Sequence, residues 1–599
     1  MPMRRNNQSQ DKATNFWGSI GKLFHYMGRY RIGVILVLLF AVASTIFNVY
    51  GPKLLGNATT ELANGFMAKA LGTGGIDFGA IGKILITLLV LYVASSIFNF
   101  LQGWIMSGIS QKISYSLRKD ISEKINRMPM AYFDSQATGD VLSRITNDVD
   151  TLGQSLNQSL RQLITSVATM VGVIIMMLTL SPLMTLITVI ILPVSLICVV
   201  TIIRFSQKHF KAQQHYLGQI DGQIEESFSG QNIIKAFDRE DKVMEEFKDM
   251  NERLYQSAWK SQFLSGLMQP VMNMISNAGY VAVVIVGGVL AAAGTIQIGD
   301  IVSFTQYVQR FTQPMTQLAQ VSNMFQSMAA ASERIFEFLE ESEESQTVEN
   351  PVQLEAAAGD VEFDHVSFGY HEDRVIIHDF TSEAKPGQTV AIVGPTGAGK
   401  TTMVKLLMRF YDVNSGAIRV DGHDLRDFNR RDLRQNIGMV LQDTWLFNGS
   451  IMENIRYGKP EATDEEVIEA AKTARADAFI RTLPGGYDME INEEANNISQ
   501  GQKQLLTIAR AVLADRPILI LDEATSSVDT RTELLIQEAM NRLMEGRTSF
   551  VIAHRLSTIR DADVILVMRD GDIVEQGNHE ELLRQNGFYA ELYNAQFEQ

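Results

Sequence analysis

Residues 390–409 read VAIVGPTGAGKTTMVKLLMR, and this motif predicts the kind of fold in the C-terminal half of the chain. An apolar strand leads into a glycine-rich loop and then into a helical run, which is the order that the phosphate-binding motif G-x-x-x-x-G-K-T requires. Glycines at these positions let backbone N–H groups curl around a phosphate at a helix N-terminus. The motif predicts that Lys400 reaches the β- and γ-phosphates and that the Thr401 hydroxyl binds Mg²⁺. The predicted nucleotide contacts are Gly394, Pro395, Thr396, Gly397, Ala398, Gly399, Lys400, Thr401 and Thr402.

Two further apolar strands carry the other predicted catalytic groups. The run ILIL at 518–521 ends in Asp522 and Glu523, and the run TSFVIA at 548–553 delivers His554. An acidic side chain at a strand end beside a phosphate loop suits Mg²⁺, directly or through water. Glu523 is then placed to polarise an attacking water, and His554 to contact the γ-phosphate. Singly, such residues are more often structural; their order behind a phosphate loop favours ATP hydrolysis.

Composition points to a chain that is part membrane protein and part soluble protein. Its 599 residues exceed what one hydrophobic core supports, so two or more domains are expected. Hydrophobic residues make up 46% and charged residues 20%, which mixes the two classes. The net charge of −16 argues against nucleic acid as a partner, because phosphate backbones attract basic surfaces. Cys198 lies in an apolar run and is expected to be a small buried hydrophobe.

Six apolar stretches in the N-terminal half are long enough to cross a bilayer, which needs about 20 residues. They are residues 32–50, 84–104, 163–180, 184–203, 269–292 and 301–330. Lys and Arg concentrate in the N-terminal arm and in the two long connections, 105–162 and 204–268, which places these in the cytoplasm. Six crossings return the chain to the cytoplasm. We therefore expect a multi-pass protein with both termini cytoplasmic.

The predicted organisation has four parts. Residues 1–30 form an arm with an amphipathic helix that lies at the membrane interface. Residues 31–337 form the membrane domain with long cytoplasmic helical extensions. Residues 338–359 are an acidic linker, and residues 360–599 form the nucleotide-binding domain, whose alternation of short β-rich and helical runs is typical of an α/β fold.

Polar residues in the last predicted span mark a possible substrate path. Arg310 lies close to Gln306 and Tyr307 in a stretch that is otherwise suited to the bilayer. Ionisable groups inside membrane segments tend to face a cavity or a neighbouring helix. Two interpretations stay open: these residues line a polar path for substrate, or this part of the helix lies outside the hydrocarbon core.

Taken together, these motifs resemble a half-transporter of the ABC exporter family, and the likeness covers nearly the whole chain. The resemblance implies an all-α six-helix transmembrane domain fused to an α/β P-loop domain with a RecA-like core. It also implies that Tyr370 stacks on adenine and that Gln442 senses Mg²⁺ and contacts the membrane domain. Asp529 falls in the family's D-loop. The cytoplasmic turns at 134–148 and 226–237 resemble its coupling-helix regions.

The chain departs from the family in the segment that faces a partner's ATP. The family's L-S-G-G-Q appears here as Ile498, Ser499, Gln500, Gly501 and Gln502. In the family this segment caps the γ-phosphate held by the other subunit, and Gln500 puts a side chain where close backbone approach is needed. The groups that handle the chain's own ATP are intact. This asymmetry favours a heterodimer with a non-identical half-transporter; a homodimer that tolerates the glutamine is the alternative.

The predicted function is ATP-driven export of amphipathic small molecules of the multidrug type by alternating access. ATP and Mg²⁺ are the expected cofactors, and the bilayer, a small-molecule or lipid substrate and a second half-transporter are the expected partners. A lipid flippase or a peptide exporter would use the same machinery, and an ATP-gated channel is an alternative of another class. The fused layout with no targeting peptide favours the bacterial plasma membrane.

Overall fold

A computed structural model describes residues 14–136, 138–354, 357–371, 373–442, 444–492, 497–522, 529–552 and 559–597. The chain divides into two compact units. The first unit comprises residues 1–122 and 141–340, and the second comprises residues 123–140 and 341–599. The segment 123–140 therefore belongs with the C-terminal half, although its neighbours on both sides belong to the first unit.

The described residues of the N-terminal half form helices joined by short turns. Its helices are Phe16–Tyr26 (α1), Arg31–Ala70 (α2), Phe78–Ile125 (α3), Met130–Ser135 (α4), Thr138–Ser143 (α5), Val149–Leu180 (α6), Pro182–Ser229 (α7), Gln231–Ala236 (α8), Glu240–Gly266 (α9), Met268–Ala292 (α10) and Ile298–Glu340 (α11). A short 3₁₀ turn, Met27–Tyr30, joins α1 to α2, and a π-helical turn, Arg144–Asp148, precedes α6. The two long connections are helical, as their sequence predicts.

Within the described residues, five helical segments are long and apolar enough to cross a membrane. They are Phe16–Ala70, Phe78–Ile125, Thr138–Leu180, Pro182–Ser229 and Glu240–Ala292. The sixth predicted span lies in α11, which is long enough but is not among these five. Its glutamines and Arg310 make it less apolar than the others.

Helix α11 packs along α2 through small residues and a series of polar contacts. A Cβ atom added at Gly299 would lie 1.8 Å from the carbonyl oxygen of Gly56, so only glycine allows this approach. The Ser303 hydroxyl donates to the Pro52 carbonyl at 2.9 Å, and the buried Tyr307 hydroxyl donates to the Val49 carbonyl at 2.9 Å. Interhelical hydrogen bonds of this kind hold helices together where water is absent.

The described residues of the second unit form three sheets. Its strands are Val361–Phe368 (β1), Ile377–Ala384 (β2), Thr389–Val393 (β3), Ser415–Val420 (β4), His423–Asp424 (β5), Ile437–Val440 (β6), Gly449–Ser450 (β7), Glu490–Ile491 (β8), Ile518–Asp522 (β9), Thr548–Ile552 (β10), Val564–Arg569 (β11) and Asp572–Gly577 (β12). A six-stranded sheet has the order β12-β11-β3-β10-β9-β6, a four-stranded sheet has the order β2-β1-β4-β5, and β7 pairs with β8.

The six-stranded sheet is parallel from β11 to β6, and only β12 runs antiparallel. Strands β9 and β10 are buried at every position, which fits continuous apolar strands covered on both faces. Besides the helical segment within 123–140, the helices in the described part of this unit are Lys400–Leu407 (α12), Arg430–Arg434 (α13), Ile451–Arg456 (α14), Asp464–Thr473 (α15), Asp477–Ile480 (α16), Gln500–Ala514 (α17), Thr530–Met544 (α18), His579–Gln585 (α19) and Phe588–Phe597 (α20). The α/β expectation for this half is confirmed.

Candidate functional site

The carboxyl ends of the parallel strands bring the predicted phosphate-handling residues to one edge of the sheet. Ile552 of β10 is in register with Ile392 of β3 and with Asp522 of β9. Val440 of β6 is in register with Leu521. The loop after β3, the carboxylate at the end of β9 and Gln442 after β6 therefore emerge at the same edge. Ligands of open parallel sheets bind outside this edge.

The loop between β3 and α12 needs its glycines. Gly397 and Gly399 have φ angles of 88° and 102°, a region that side chains rarely enter. A Cβ atom added at Gly399 would lie 2.6 Å from the Ile377 Cδ1 atom. Helix α12 begins directly after Gly399 with no side-chain cap, so its first-turn N–H groups are available to an anion. The loop residues Pro395, Thr396 and Gly397 are exposed, whereas Ala398 is buried.

The Lys400 ammonium is held across this loop. Its Nζ atom donates to the carbonyl oxygen of Gly394 at 2.6 Å and to that of Pro395 at 3.0 Å. Burial lowers the pKa of Lys400, and the nearby negative charge of Asp522 opposes that effect. The two carbonyl oxygens that accept from Lys400 are neutral. A phosphate would offer stronger, charge-assisted hydrogen bonds. The loop, the uncapped helix and this cation fit a nucleotide phosphate.

The predicted Mg²⁺ ligands lie on the elements expected for them. Asp522 is buried at the end of β9, close enough to Lys400 to act on its pKa. Thr401 is exposed in the first turn of α12, and Gln442 is exposed after β6. Carboxylate, hydroxyl and amide oxygens are ligands that Mg²⁺ accepts. This donor set fits the metal.

Tyr370, the predicted adenine contact, lies in a cluster of aromatic side chains. Its ring packs edge-to-face on Phe368 at 5.1 Å and on Tyr411 at 5.0 Å between centroids. Its hydroxyl lies 3.3 Å from the Oγ1 atom of the buried Thr402, which connects it to the phosphate loop. The Lys405 ammonium lies 5.6 Å from the Tyr370 ring centroid, within cation–π range.

Asp134 of α4 joins this cluster within the second unit. Its Oδ2 atom accepts from the Lys405 Nζ at 2.7 Å and from the Tyr411 hydroxyl at 2.6 Å. Partial burial raises the pKa of Asp134, but the hydrogen bonds from Lys405 and Tyr411 outweigh it and lower the pKa. The sequence singles out Asp134 in a turn predicted to be cytoplasmic, yet it gives no signal for Lys405 or Tyr411. A basic residue on the outer face of α12 is too common to predict such a contact.

The segment that departs from the family begins helix α17. Ser499 is its N-cap and forms a capping box with Gln502: the Gln502 N–H donates to the Ser499 hydroxyl at 3.3 Å, and the Ser499 N–H donates to the Gln502 side chain at 2.9 Å. The Gln500 amide donates to the Thr444 hydroxyl at 3.1 Å. Gly501 is buried. The extra side chain is thus directed to the segment after Gln442 in the same chain.

The remaining predicted residues divide into described and undescribed ones. Asp529 is the N-cap of α18 and accepts from the Thr532 N–H at 3.0 Å, a backbone bond that lowers its pKa. The predicted catalytic residues Glu523 and His554 lie outside the described residues, as does the D-loop stretch 526–528.

The predicted substrate-path residues lie in the first unit. The Arg310 Nη1 atom donates to the Asn48 carbonyl at 2.7 Å and also to the Asn48 side-chain oxygen. Tyr307 is fully buried against α2, and Gln306 is half-buried on the same helix. These residues are therefore close to one another on α11, and Arg310 and Tyr307 are both anchored to α2.

Comparison with known proteins agrees with this geometry. Residues 34–315 match the family model described as the ABC transporter transmembrane region, and residues 377–526 match the model described as ABC transporter. The chain is 45% identical to a fatty acid ABC transporter ATP-binding/permease protein of Mycobacterium bovis, over 98% of this chain and 97% of that one. It is 36% identical to an ATP-dependent lipid A-core flippase of Syntrophus aciditrophicus, over 86% and 85% of the two chains.

A solved structure resembles both halves of the fold. It is described as a bacterial Atm1-family ABC exporter with ATP bound. The TM-score is 0.73 at 30% identity, and the match covers 95% of this chain and 98% of that one. The similarity therefore includes the helical half and the nucleotide-binding half together.

Proposed function

The chain belongs to the ABC transporter family, as an exporter whose ATPase is coupled to transport, and we propose that it exports amphipathic small molecules or lipids as one half of a heterodimer. One observation supports the proposal that this chain drives export with ATP. The same chain that holds Lys400 across a phosphate loop also has five described helical segments long and apolar enough for a membrane. ATP hydrolysis and passage through the bilayer are thus joined in one molecule.

The residues at the carboxyl edge of the parallel sheet have separate roles in this proposal. The uncapped N-terminus of α12 and Lys400 bind the phosphates, and Tyr370 offers its aromatic surface to the base. Thr401, Asp522 and Gln442 would hold Mg²⁺, which when bound neutralises charge on the β- and γ-phosphates. Glu523 would orient and polarise the attacking water, and His554 would contact the γ-phosphate.

Transport requires that closure of the nucleotide site reaches the membrane helices. Helix α4 follows α3 after a short turn, and α3 is one of the helices apolar enough to cross the membrane. Asp134 of α4 is bonded to Lys405 of α12, the helix that starts at the phosphate loop. We propose that movement of α12 on nucleotide binding is passed to α3 through this contact and shifts the membrane domain from inward- to outward-facing.

A non-identical partner is supported by the asymmetry of the site. The loop, Lys400 and Asp522 are arranged for the chain's own ATP. In the cap offered to a partner's ATP, Ser499 and Gln502 match the family sequence and form a capping box. Gln500 adds a side chain at the first turn of α17, where the resemblance implies glycine. One competent site per complex follows: this chain's loop closed by a partner's intact cap.

A lipid substrate is favoured by the relatives. The Mycobacterium bovis relative is named for fatty acids and the Syntrophus aciditrophicus relative for lipid A-core. Both names describe amphiphiles, so we place the substrate in that class. The bacterial plasma membrane, with the nucleotide-binding half and both termini in the cytoplasm, is the proposed location.

Transport into inside-out membrane vesicles tests the proposal. Vesicles that contain the complex should accumulate a fluorescent amphiphile when Mg-ATP is added outside. Lys400→Ala should abolish the accumulation, because the charge that binds the phosphates is lost. Lys472→Ala, which removes an exposed ammonium paired with Glu469 on α15, is the matched control and should leave it unchanged. ATP-independent ion conductance, or accumulation that survives Lys400→Ala, would overturn the proposal.

A further inference from the structure

Arg310 is the only charged residue in the six predicted spans. The runs 32–50, 84–104, 163–180, 184–203, 269–292 and 301–330 contain no Asp, Glu or Lys, and Arg310 is their one Arg. An arginine within a membrane helix is costly. Charged residues that are costly in this way are found where they are paired with another group or have a function.

The surroundings of Arg310 provide neutral partners. Asn48 supplies two oxygen acceptors for its Nη1 atom, and among the described residues no carboxylate lies within ion-pair distance of Arg310. A guanidinium carries five N–H donors, and Asn48 engages one nitrogen. The positive charge is thus held in place by hydrogen bonds, and it is not neutralised by the described part of the chain.

Arg310 lies in a polar stripe along one face of α11. Gln306, Arg310, Gln313 and Gln317 recur at the spacing that puts residues on one side of a helix. This face meets neighbouring helices: Arg310 contacts Asn48 of α2, and the Gln317 side chain accepts from the Ser166 hydroxyl of α6 at 3.1 Å. The stripe therefore runs between helices of the bundle, with one uncompensated positive charge among uncharged hydrogen-bonding groups.

The position of the guanidinium is fixed from both sides. Arg310 follows Tyr307 by three residues, and the fully buried Tyr307 hydroxyl is bonded to the carbonyl of Val49, the residue after Asn48. The start of α11, twelve residues before Arg310, is held on α2 by the Gly299 N–H, which donates to the Thr60 hydroxyl at 3.1 Å. A cation whose position is set before a ligand arrives binds with less ordering cost.

We infer that Arg310 is a binding site for the anionic head of the transported amphiphile, so that the substrate class is long-chain carboxylates and related anionic amphiphiles. The inference rests on the proposed export function and deepens it. A carboxylate would replace the neutral acceptors with a charge-assisted pair, which is strong where water is scarce. The neutral stripe on either side would accept head groups that carry additional hydroxyls.

Stimulation of ATPase activity by matched amphiphiles tests this assignment. The complex is purified from its native membrane and placed in phosphatidylcholine nanodiscs, so that no anionic lipid is present. Myristate and methyl myristate share the same chain and differ in head-group charge. Myristate should stimulate at a concentration about tenfold lower than its ester, because one charge-assisted hydrogen bond is worth about 1.5–3 kcal/mol.

Substitutions of Arg310 locate the preference. Arg310→Gln should raise the concentration of myristate for half-maximal stimulation by about tenfold and leave that of the ester unchanged. Arg310→Lys should keep much of the preference. Arg204→Gln removes an exposed arginine just outside the fourth predicted span and should change neither value. The retained response to the ester shows that the variant folds and assembles.

Three outcomes would overturn the inference. Equal effects of Arg310→Gln on acid and ester would mean that Arg310 is structural or is paired with the partner subunit. A change that appears only when phosphatidylglycerol is added to the nanodisc would mean that Arg310 holds a bilayer lipid. If myristate and its methyl ester stimulate the wild type equally, Arg310 does not select for an anionic head group, and export of amphiphiles remains supported. If neither compound nor other amphiphiles stimulate the wild type, the proposed function itself fails.

Discussion

The Lys400 side chain donates hydrogen bonds to two carbonyl oxygens of its own loop. The ammonium sits across the loop with neutral acceptors at 2.6 and 3.0 Å. Burial lowers its pKa, yet the charge of Asp522 opposes the shift. The loop, the helix N-terminus and the Lys400 ammonium therefore already form a site for phosphate. The rate of hydrolysis should then depend on Glu523, the residue proposed to activate water.

Replacement of Glu523 by Gln should separate binding from hydrolysis. Glutamine keeps the shape and hydrogen bonds of the side chain but cannot accept a proton from water. ATP affinity should stay within about twofold, while turnover falls roughly a hundredfold or more, the usual contribution of a positioned general base. Nucleotide binding and phosphate release, measured on the same preparation, check both parts. The exposed Glu545 gives the control Glu545→Gln, and Mg-ATPase activity that persists in Glu523→Gln would remove Glu523 from its role.

At the residue scale, the sequence predicts what is local. The loop 394–402 and Asp522 are recognisable because each motif is contiguous and its chemistry follows from its own backbone geometry. The hydrogen bond from Gln500 to Thr444 joins residues 56 positions apart, so no local pattern announces it. The sequence marks Gln500 as a departure, and the structure adds that its side chain engages the segment after Gln442.

Helices α4 and α12 form the connection on which the proposed coupling depends. Asp134 and Lys405 are separated by 271 residues, and their hydrogen bond is invisible to periodicity or motif spacing. The helical character of the long connections, by contrast, follows from their sequence and is confirmed. The sixth predicted span shows a limit of predictions from composition. Helix α11 is a single long helix that packs on α2, but its polar stripe makes it less apolar than the other predicted spans.

Removal of the Asp134 charge should loosen coupling without harming the ATP site. Asp134→Asn weakens the hydrogen bonds from Lys405 and Tyr411, and a double-mutant cycle with Tyr411→Phe should give a coupling energy of about 1 kcal/mol. Amphiphile transported per ATP hydrolysed should fall several-fold. The lowered pKa of Asp134 means that its pairing is present above the ordinary Asp pKa and is lost as the pH falls through the lowered value.

Glu461 supplies the comparison for this experiment. It is an exposed carboxylate of the second unit outside the turn 134–148, so Glu461→Gln removes an equal charge away from the predicted coupling region. Transport per ATP should remain at the wild-type value in that variant. If Asp134→Asn also leaves the ratio unchanged, the contact between α4 and α12 stabilises the second unit and does not transmit movement.

For the whole molecule, the division into two units and the resemblance over nearly the full chain agree with an exporter. The sequence predicts the helical half and the α/β half because hydrophobic runs and the phosphate loop are strong signals. It does not predict that residues 123–140 belong to the second unit, since that assignment depends on contacts with distant residues. In the proposed heterodimer, the asymmetry between an intact loop and an altered cap would set how many sites hydrolyse ATP.

The subunit composition of the complex therefore tests whether this chain works with a non-identical half. The complex is isolated gently from its native membrane, and its mass and the identity of its chains are measured by native mass spectrometry. We predict this chain and a second, different ABC half-transporter in equal amounts. A complex of two copies of this chain would contradict the claim and would mean that Gln500 is compatible with closure over ATP at both sites.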